Sequence, residues 1–202
     1  MEKASIKKRL MPVLVISTVF LTMAGCGSGK NETTAVTIDK DGHVSNVIYE
    51  QFDKEYYDVE ELSEMAREEV DQYNSQFITP KITLGDVQAA GDGDYVKVSM
   101  SYDSASDYSD FNEETLFYGT IEEARSKGYK ISGDLVDGNG ERIDSSFATD
   151  NPDRHIIITD DRSNIIAPFN IEYATKGVSL LGKKEAKLSD ATAESIQLLL
   201  SK

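Results

Sequence analysis

Short stretches of alternating hydrophobic and polar residues predict paired β-strands along the first half of the chain. Residues 35–52 alternate on either side of Asp41-Gly42, which is a turn signal, so they predict a β-hairpin. Residues 82–102 repeat the pattern around a Gly- and Asp-rich turn at 91–94 and predict a second hairpin.

A helical period replaces the alternation over residues 59–76. Asp58 is the expected N-cap of this helix, and Glu61, three residues later, is its expected reciprocal partner. The apolar face consists of Val59, Leu62, Ala66, Val70 and Tyr73. The spacing therefore predicts one long amphipathic helix packed on the sheet.

Two shorter helices are predicted between the second hairpin and the second half of the chain. Residues 104–112 form an amphipathic segment whose aromatic residues are expected to be buried. Thr120 and Glu123 have the spacing of a capping box, which predicts a helix over 120–128.

The second half of the chain is rich in predicted strands. Residues 155–159 and 165–174 are expected to pair with each other as a hairpin. Residues 178–181 and 186–188 are further strand candidates. Residues 196–200 are either a last strand or a terminal helix, because a continuous apolar run has no clear period.

Hairpins with helices set apart from them predict an α+β fold with a mainly antiparallel sheet, one long amphipathic helix and two short helices. The length of residues 35–202 suits a single domain with a sizeable core.

The N-terminal segment has the organisation of a secretory signal peptide. Four basic residues fall within the first nine positions, and residues 10–23 carry no charge. This apolar run of 14 residues is shorter than the roughly 20 that a membrane-spanning helix needs. We therefore expect residues 1–25 to be an export signal, with a permanent membrane span as the alternative.

The end of that segment, Leu21-Thr22-Met23-Ala24-Gly25-Cys26, resembles the lipobox of bacterial lipoproteins, although Met23 replaces the usual leucine. The resemblance implies cleavage between Gly25 and Cys26 and a covalent diacylglyceryl lipid on the Cys26 thiol, with no other cofactor. It also implies attachment to the extracytoplasmic face of the cell membrane. The alternative is a free or buried cysteine after ordinary cleavage. Residues 26–34 would be a flexible tether, with a span of about 15 Å for its last eight residues.

The region after Cys26 resembles the small acidic lipoproteins of low-GC Gram-positive bacteria, which have no assigned activity. The residues that carry this resemblance are Asp41-Gly42, Phe52-Asp53-Lys54, Tyr56-Tyr57-Asp58, the stretch 102–112, and Gly182-Lys183-Lys184. The resemblance supports the location and the fold, and it implies no site.

Charge limits the partners. The chain has a formal net charge of −15, and residues 1–25 hold four basic residues and one acidic residue, so the remainder carries −18. Such a surface is repelled by phosphate backbones, so we expect no nucleic-acid binding. The expected partners are the membrane, through the anchor, and an envelope protein. Lys183-Lys184 is a basic island that either faces anionic lipid or protects an edge strand.

The densest acidic segment is the candidate ligand or cation face, formed by Asp103, Asp107, Asp110 and Glu114. Neighbouring aromatic residues make a carbohydrate or cation site conceivable, and two carboxylates at the right separation hydrolyse glycosidic bonds. The alternative is an amphipathic helix with a solvated acidic side.

No metal site and no catalytic residue is predicted. Asp39 and Asp137 each begin a near-match to a calcium-binding loop, but glycine is missing from the sixth position of both. His43 and His155 have no metal-ligand spacing. The sequence thus favours a non-catalytic binding or scaffold lipoprotein of the cell envelope; the alternatives are a cation- or carbohydrate-binding module and a small envelope hydrolase that uses paired carboxylates.

Overall fold

The computed structural model describes residues 33–54 and 57–202. The predicted export signal at 1–25, the cleavage site between Gly25 and Cys26, and most of the tether lie outside the described residues. Within the described part of the chain, no helix is both long and apolar enough to cross a membrane.

Within the described residues, the larger of two sheets, sheet A, has seven strands. They are β1 (Ala35–Ile38), β2 (Val44–Gln51), β3 (Ile82–Ala90), β4 (Tyr95–Tyr102), β7 (Asn164–Ile166), β9 (Ser179–Leu180) and β10 (Glu185–Lys187). Their order is β3-β4-β2-β1-β7-β10-β9. All neighbours are antiparallel except β1 and β7, which run parallel.

Sheet B has four antiparallel strands in the order β5-β6-β11-β8. They are β5 (Leu116–Thr120), β6 (His155–Thr159), β8 (Ile171–Ala174) and β11 (Ile196–Leu200). The helices are α1 (Val59–Asn74), α2 (Ala105–Asn112), α3 (Ile121–Ser126) and α4 (Phe147–Asp150), and a 3-10 turn covers Gly91–Gly93. This composition confirms the α+β class with mainly antiparallel sheets.

Sheet B is the central layer between two hydrophobic clusters. The main cluster fills the space between one face of sheet A, α1, α2 and one face of sheet B. The second cluster packs α3 against the opposite face of sheet B. Ile157 and Leu198 point into the main cluster, while Ile156, Ile158 and Leu199 point into the second. Both faces of β6 and β11 are therefore buried.

The predicted N-cap of α1 and the predicted capping box of α3 are confirmed, whereas the reciprocal bond expected from Glu61 to Asp58 is not found among the described residues. Asp58 Oδ1 accepts hydrogen bonds from the backbone N–H groups of Glu60 and Glu61, at 2.8 and 3.1 Å, and begins α1. Both bonds of the capping box are present at the start of α3: Thr120 Oγ1 accepts from Glu123 N, and Glu123 Oε2 accepts from Thr120 N. These bonds satisfy backbone donors that the first helical turn leaves free.

The predicted pairing of 155–159 with 165–174 is wrong. Pro168 interrupts the second segment, which divides into β7 in sheet A and β8 in sheet B. β6 instead lies between β5 and β11. Residues 196–200 form the strand β11 rather than a helix, and their continuous apolar run reflects burial on both faces.

Candidate functional site

One end of sheet A carries the turns that form a cleft. Ile38, Val44 and Tyr102 are register partners across β1, β2 and β4, so the ends of these strands lie side by side. The β1–β2 turn follows Ile38, and the segment leading to α2 follows Tyr102. The chain enters β1 at Ala35, at the other end of the strand, about 10 Å away.

The cleft lies between the β1–β2 turn, α2, β5, α3 and the start of β6, and has a volume of about 610 Å³. Its lining is mixed in chemistry, with exposed charges of both signs and several aromatic rings. The residues that matter most below are Lys40, Asp41, Asp110, Tyr118, Lys127 and His155. The cleft is thus built from five separate parts of the chain.

Two stacked rings form part of the cleft lining. The rings of Tyr118 and His155 lie 5.3 Å apart with an interplanar angle of 27°. His155 Nδ1 lies 3.0 Å from the backbone oxygen of Lys202, which fixes the imidazole. The Tyr118 hydroxyl is buried and has no hydrogen-bond partner among the described residues. Burial, together with the nearby carboxylates of Asp39 and Asp41, raises the pKa of Tyr118.

Two carboxylates of the cleft already have partners. Asp103 forms a 2.5 Å ion pair with Lys81, and this hydrogen bond lowers the pKa of Asp103. Glu123 accepts the backbone N–H of Thr120 at 2.7 Å, which lowers the pKa of Glu123. Both groups are therefore stabilised as anions.

The other cleft charges face solvent. Lys40, Asp41 and Asp110 are exposed and form no ion pair within the described residues. Lys127 is also exposed, and its ammonium lies 5.6 Å from the centre of the Phe117 ring. Two cations and two anions are thus available to a ligand.

The structure brings two of the four candidate acidic residues into the cleft, Asp103 and Asp110. Asp107 is buried at the start of α2, where its carboxylate accepts hydrogen bonds from Ser104 Oγ at 2.6 Å and from Tyr73 Oη at 3.3 Å. Glu114 is half-buried and outside the cleft lining.

The sequence analysis did not identify the other lining residues as members of a site. Nothing in the neighbouring sequence marks Lys40 or Lys127 as a site residue, because exposed lysines are common on protein surfaces. Tyr118 belongs to β5, a strand that was not predicted. A five-residue apolar stretch between two helices, Leu116–Thr120, was the only signal that pointed to it.

The two near-matches to calcium loops are backbone turns. Asp39 Oδ1 accepts from the backbone N–H groups of Asp41 and His43, both at 2.9 Å. Asp137 Oδ1 accepts in the same way from Asn139 and Glu141, at 2.8 and 2.9 Å. Each carboxylate thus organises its own turn. Among the described residues, no group of three or more His, Cys, Asp or Glu side chains is placed to hold a metal ion.

The chain matches no known protein family, no curated protein and no solved structure. The site must therefore be interpreted from its own geometry.

Proposed function

We propose that this chain is a lipid-anchored, non-catalytic binding protein on the extracytoplasmic face of the cell membrane, and that its cleft binds a carbohydrate-type ligand of the envelope. The observation that carries the proposal is the position of the cleft. Residues 26–34 join the domain at Ala35, the first residue of β1, and the cleft opens at the other end of this strand. A domain held by Cys26 thus has its cleft on the side away from the attachment point.

The lining suits a carbohydrate better than a bare cation. Sugar rings pack their apolar faces on aromatic side chains, and their hydroxyls exchange hydrogen bonds with charged and polar groups. The Tyr118–His155 stack supplies aromatic surface. Lys40 and Asp110 supply a donor and an acceptor at the rim.

Electrostatics disfavour Asp103 and Glu123 as the general acid of a hydrolase. Asp103 and Asp110 share the cleft, as a hydrolase with paired carboxylates requires. However, the general acid of such a pair needs a raised pKa. Asp103 and Glu123 have lowered pKa values because each accepts a hydrogen bond that stabilises the anion.

Fractionation of cells tests the anchor. The native chain and a Cys26→Ser variant are expressed in a Gram-positive host that is supplied with labelled palmitate. The native chain should carry label and sediment with membranes, and the variant should be unlabelled. An unlabelled native chain in the soluble fraction would contradict the anchor.

Calorimetric titration tests the cleft. The chain from residue 26, carrying Cys26→Ser, is titrated with soluble fragments of envelope glycans. Asp110→Ala and Lys127→Ala should weaken binding about tenfold or more, which corresponds to about 1.4 kcal/mol. The matched controls Asp86→Ala and Lys176→Ala change exposed charges outside the cleft and should leave affinity unchanged.

Three results would contradict the cleft proposal. Equal losses in the site and control variants would show charge effects that are not specific to the cleft. Absence of binding to any fragment would remove the carbohydrate ligand. Release of shortened fragments, abolished in Asp103→Asn, would establish the hydrolase instead.

A further inference from the structure

A group of buried polar side chains lies under α2, inside the main cluster. Asn46 sits on the inner face of β2 and is 1% exposed, and its register partners are Val36 on β1 and Met100 on β4. Asn112, on the last turn of α2, is 3% exposed. Both amides lie next to the buried hydroxyl of Tyr102.

The hydrogen bonds of this group are incomplete. Asn112 Nδ2 donates to Tyr102 Oη at 3.2 Å and to the backbone oxygen of Tyr108 at 2.9 Å. Tyr102 Oη donates to Met100 Sδ at 3.6 Å, and a thioether sulfur is a weak acceptor. Among the described residues, Asn46 Oδ1 and Asn112 Oδ1 accept no hydrogen bond, and Asn46 Nδ2, although it lies beside Tyr102 Oη and lowers the pKa of that phenol, has no partner with good hydrogen-bond geometry.

Leaving these atoms unpaired carries a clear cost. A buried polar group without a hydrogen bond typically destabilises a fold by about 1–3 kcal/mol, and the great majority of such groups in folded proteins are paired. Leucine has nearly the shape of asparagine and would fill either position without that cost. The two amides therefore indicate that a polar guest completes the group.

The chemistry of the three atoms indicates which guest. Asn46 Nδ2 offers donors, whereas Asn46 Oδ1 and Asn112 Oδ1 are acceptors. Water donates twice and accepts twice, and buried waters usually make about three hydrogen bonds to groups of this kind. A cation would be attracted by the two amide oxygens but repelled by the N–H groups of Asn46. An anion would be repelled by both amide oxygens.

We propose that Asn46, Tyr102 and Asn112 form an internal hydration site, in which ordered water joins the amide of Asn46 on β2 to that of Asn112 on α2. The site links the central strands of sheet A to the helix that contributes Asp110 to the cleft. α2 is then held against the sheet by polar bonds as well as by the apolar contacts of Phe111. The proposal stands independently of the ligand in the cleft.

A crystal structure of the chain from residue 26 with Cys26→Ser, at a resolution that shows ordered water, tests the site directly. We expect solvent density within hydrogen-bond distance of Asn46 and Asn112. In solution, nuclear Overhauser transfer from water to the Asn46 side-chain amide protons should be visible. A direct bond between the two amides, with no density between them and no transfer, would overturn the proposal.

Substitution gives a second test. Asn46→Leu and Asn112→Leu each leave the other amide buried without its bridge, and each should lower the equilibrium constant for folding about tenfold. The double variant should lose less than the product of the two factors, because no unpaired amide remains. Independent, multiplicative losses would overturn the proposal. Asn170→Leu, at an exposed position, is the matched control and should change folding by less than threefold. If a variant fails to fold, the solvent density in the crystal structure and the nuclear Overhauser transfer from water, both measured with Asn46 and Asn112 present, still test the proposal.

Discussion

Tyr108 donates a 2.7 Å hydrogen bond to Asp161, and both side chains are buried. Tyr108 lies on α2, whereas Asp161 lies in the loop between β6 and β7. The other oxygen of Asp161 accepts from the backbone N–H and the hydroxyl of Ser163, at 2.9 and 2.8 Å. This carboxylate therefore fixes the helix beside the cleft to a loop through which the chain passes from sheet B to sheet A.

Removing the Tyr108 hydroxyl should destabilise the fold. Tyr108→Phe keeps the ring but takes a donor from a buried carboxylate, so we expect a loss of about 1–3 kcal/mol in the free energy of unfolding. Urea denaturation measures the loss. Tyr95→Phe is the control, because that ring is 37% exposed and its variant should change stability by no more than about 0.5 kcal/mol. Equal losses in both variants would contradict the role of the bond.

Stability should fall at alkaline pH. Burial is the largest cause that raises the pKa values of Tyr73, Tyr102 and Tyr108 above the usual 10.0. These phenols stay protonated in the folded state when the unfolded chain begins to ionise. Their contribution is therefore fully present below pH 10 and is lost as the pH rises above that value.

Urea denaturation at a series of pH values from neutral to above 10 measures this loss. The decrease should be smaller in Tyr108→Phe, which has one fewer buried phenol. A free energy of unfolding that stays constant as the pH passes 10 would contradict the prediction.

The capping box of α3 should contribute measurably to stability. Thr120→Ala removes the acceptor for the backbone N–H of Glu123, so we expect a loss of about 0.5–2 kcal/mol. Thr192→Ala, at an exposed position outside any helix or strand, should have little effect. Thermal unfolding followed by circular dichroism compares the two. A Thr120→Ala variant as stable as the parent would show that the bond adds nothing.

Gly177 should resist substitution. Its φ angle is +95°, and an added Cβ would lie 3.0 Å from the backbone of Asp190 and Ala191. Because neither the dihedral nor the backbone neighbour accommodates a side chain, Gly177→Ala should cost about 1–3 kcal/mol. Gly138→Ala is the matched control, since open space surrounds that position and its φ is not positive. Similar unfolding temperatures for both variants would refute this.

Local features of the fold could be predicted because their partners are close in sequence. Asp58 contacts the next two or three residues, and Thr120 and Glu123 are one helical turn apart. The β1–β2 hairpin needs only the Asp41-Gly42 turn and alternation on each side. Such contacts depend on residue type and spacing alone.

Strand pairing and the cleft depend on contacts that sequence spacing does not reveal. β6 pairs with β5 and β11, which are both distant from it in sequence, whereas the sequence analysis paired it with the next strand along the chain. The high number of acidic residues in one segment pointed to Asp103 and Asp110 as site residues. It gave no indication of His155, which lines the same cleft from sheet B. Asn46 occupies a buried position of β2, where the alternation favours a hydrophobic residue, and Asn112, the other amide beside Tyr102 Oη, comes from a helix that is distant in sequence.

The parallel pairing of β1 with β7 has a consequence for the order of folding. Ala35 and Thr37 pair with Asn164 and Ile166, so one side of the first strand stays without its neighbour until most of the chain has been synthesised. The two strands of the β1–β2 hairpin are close in sequence, but the open edge of the hairpin is completed only by this long-range closure. Such closures slow folding and prolong the time during which an edge strand is unprotected. A chain cut short before β7 would therefore expose that edge and aggregate.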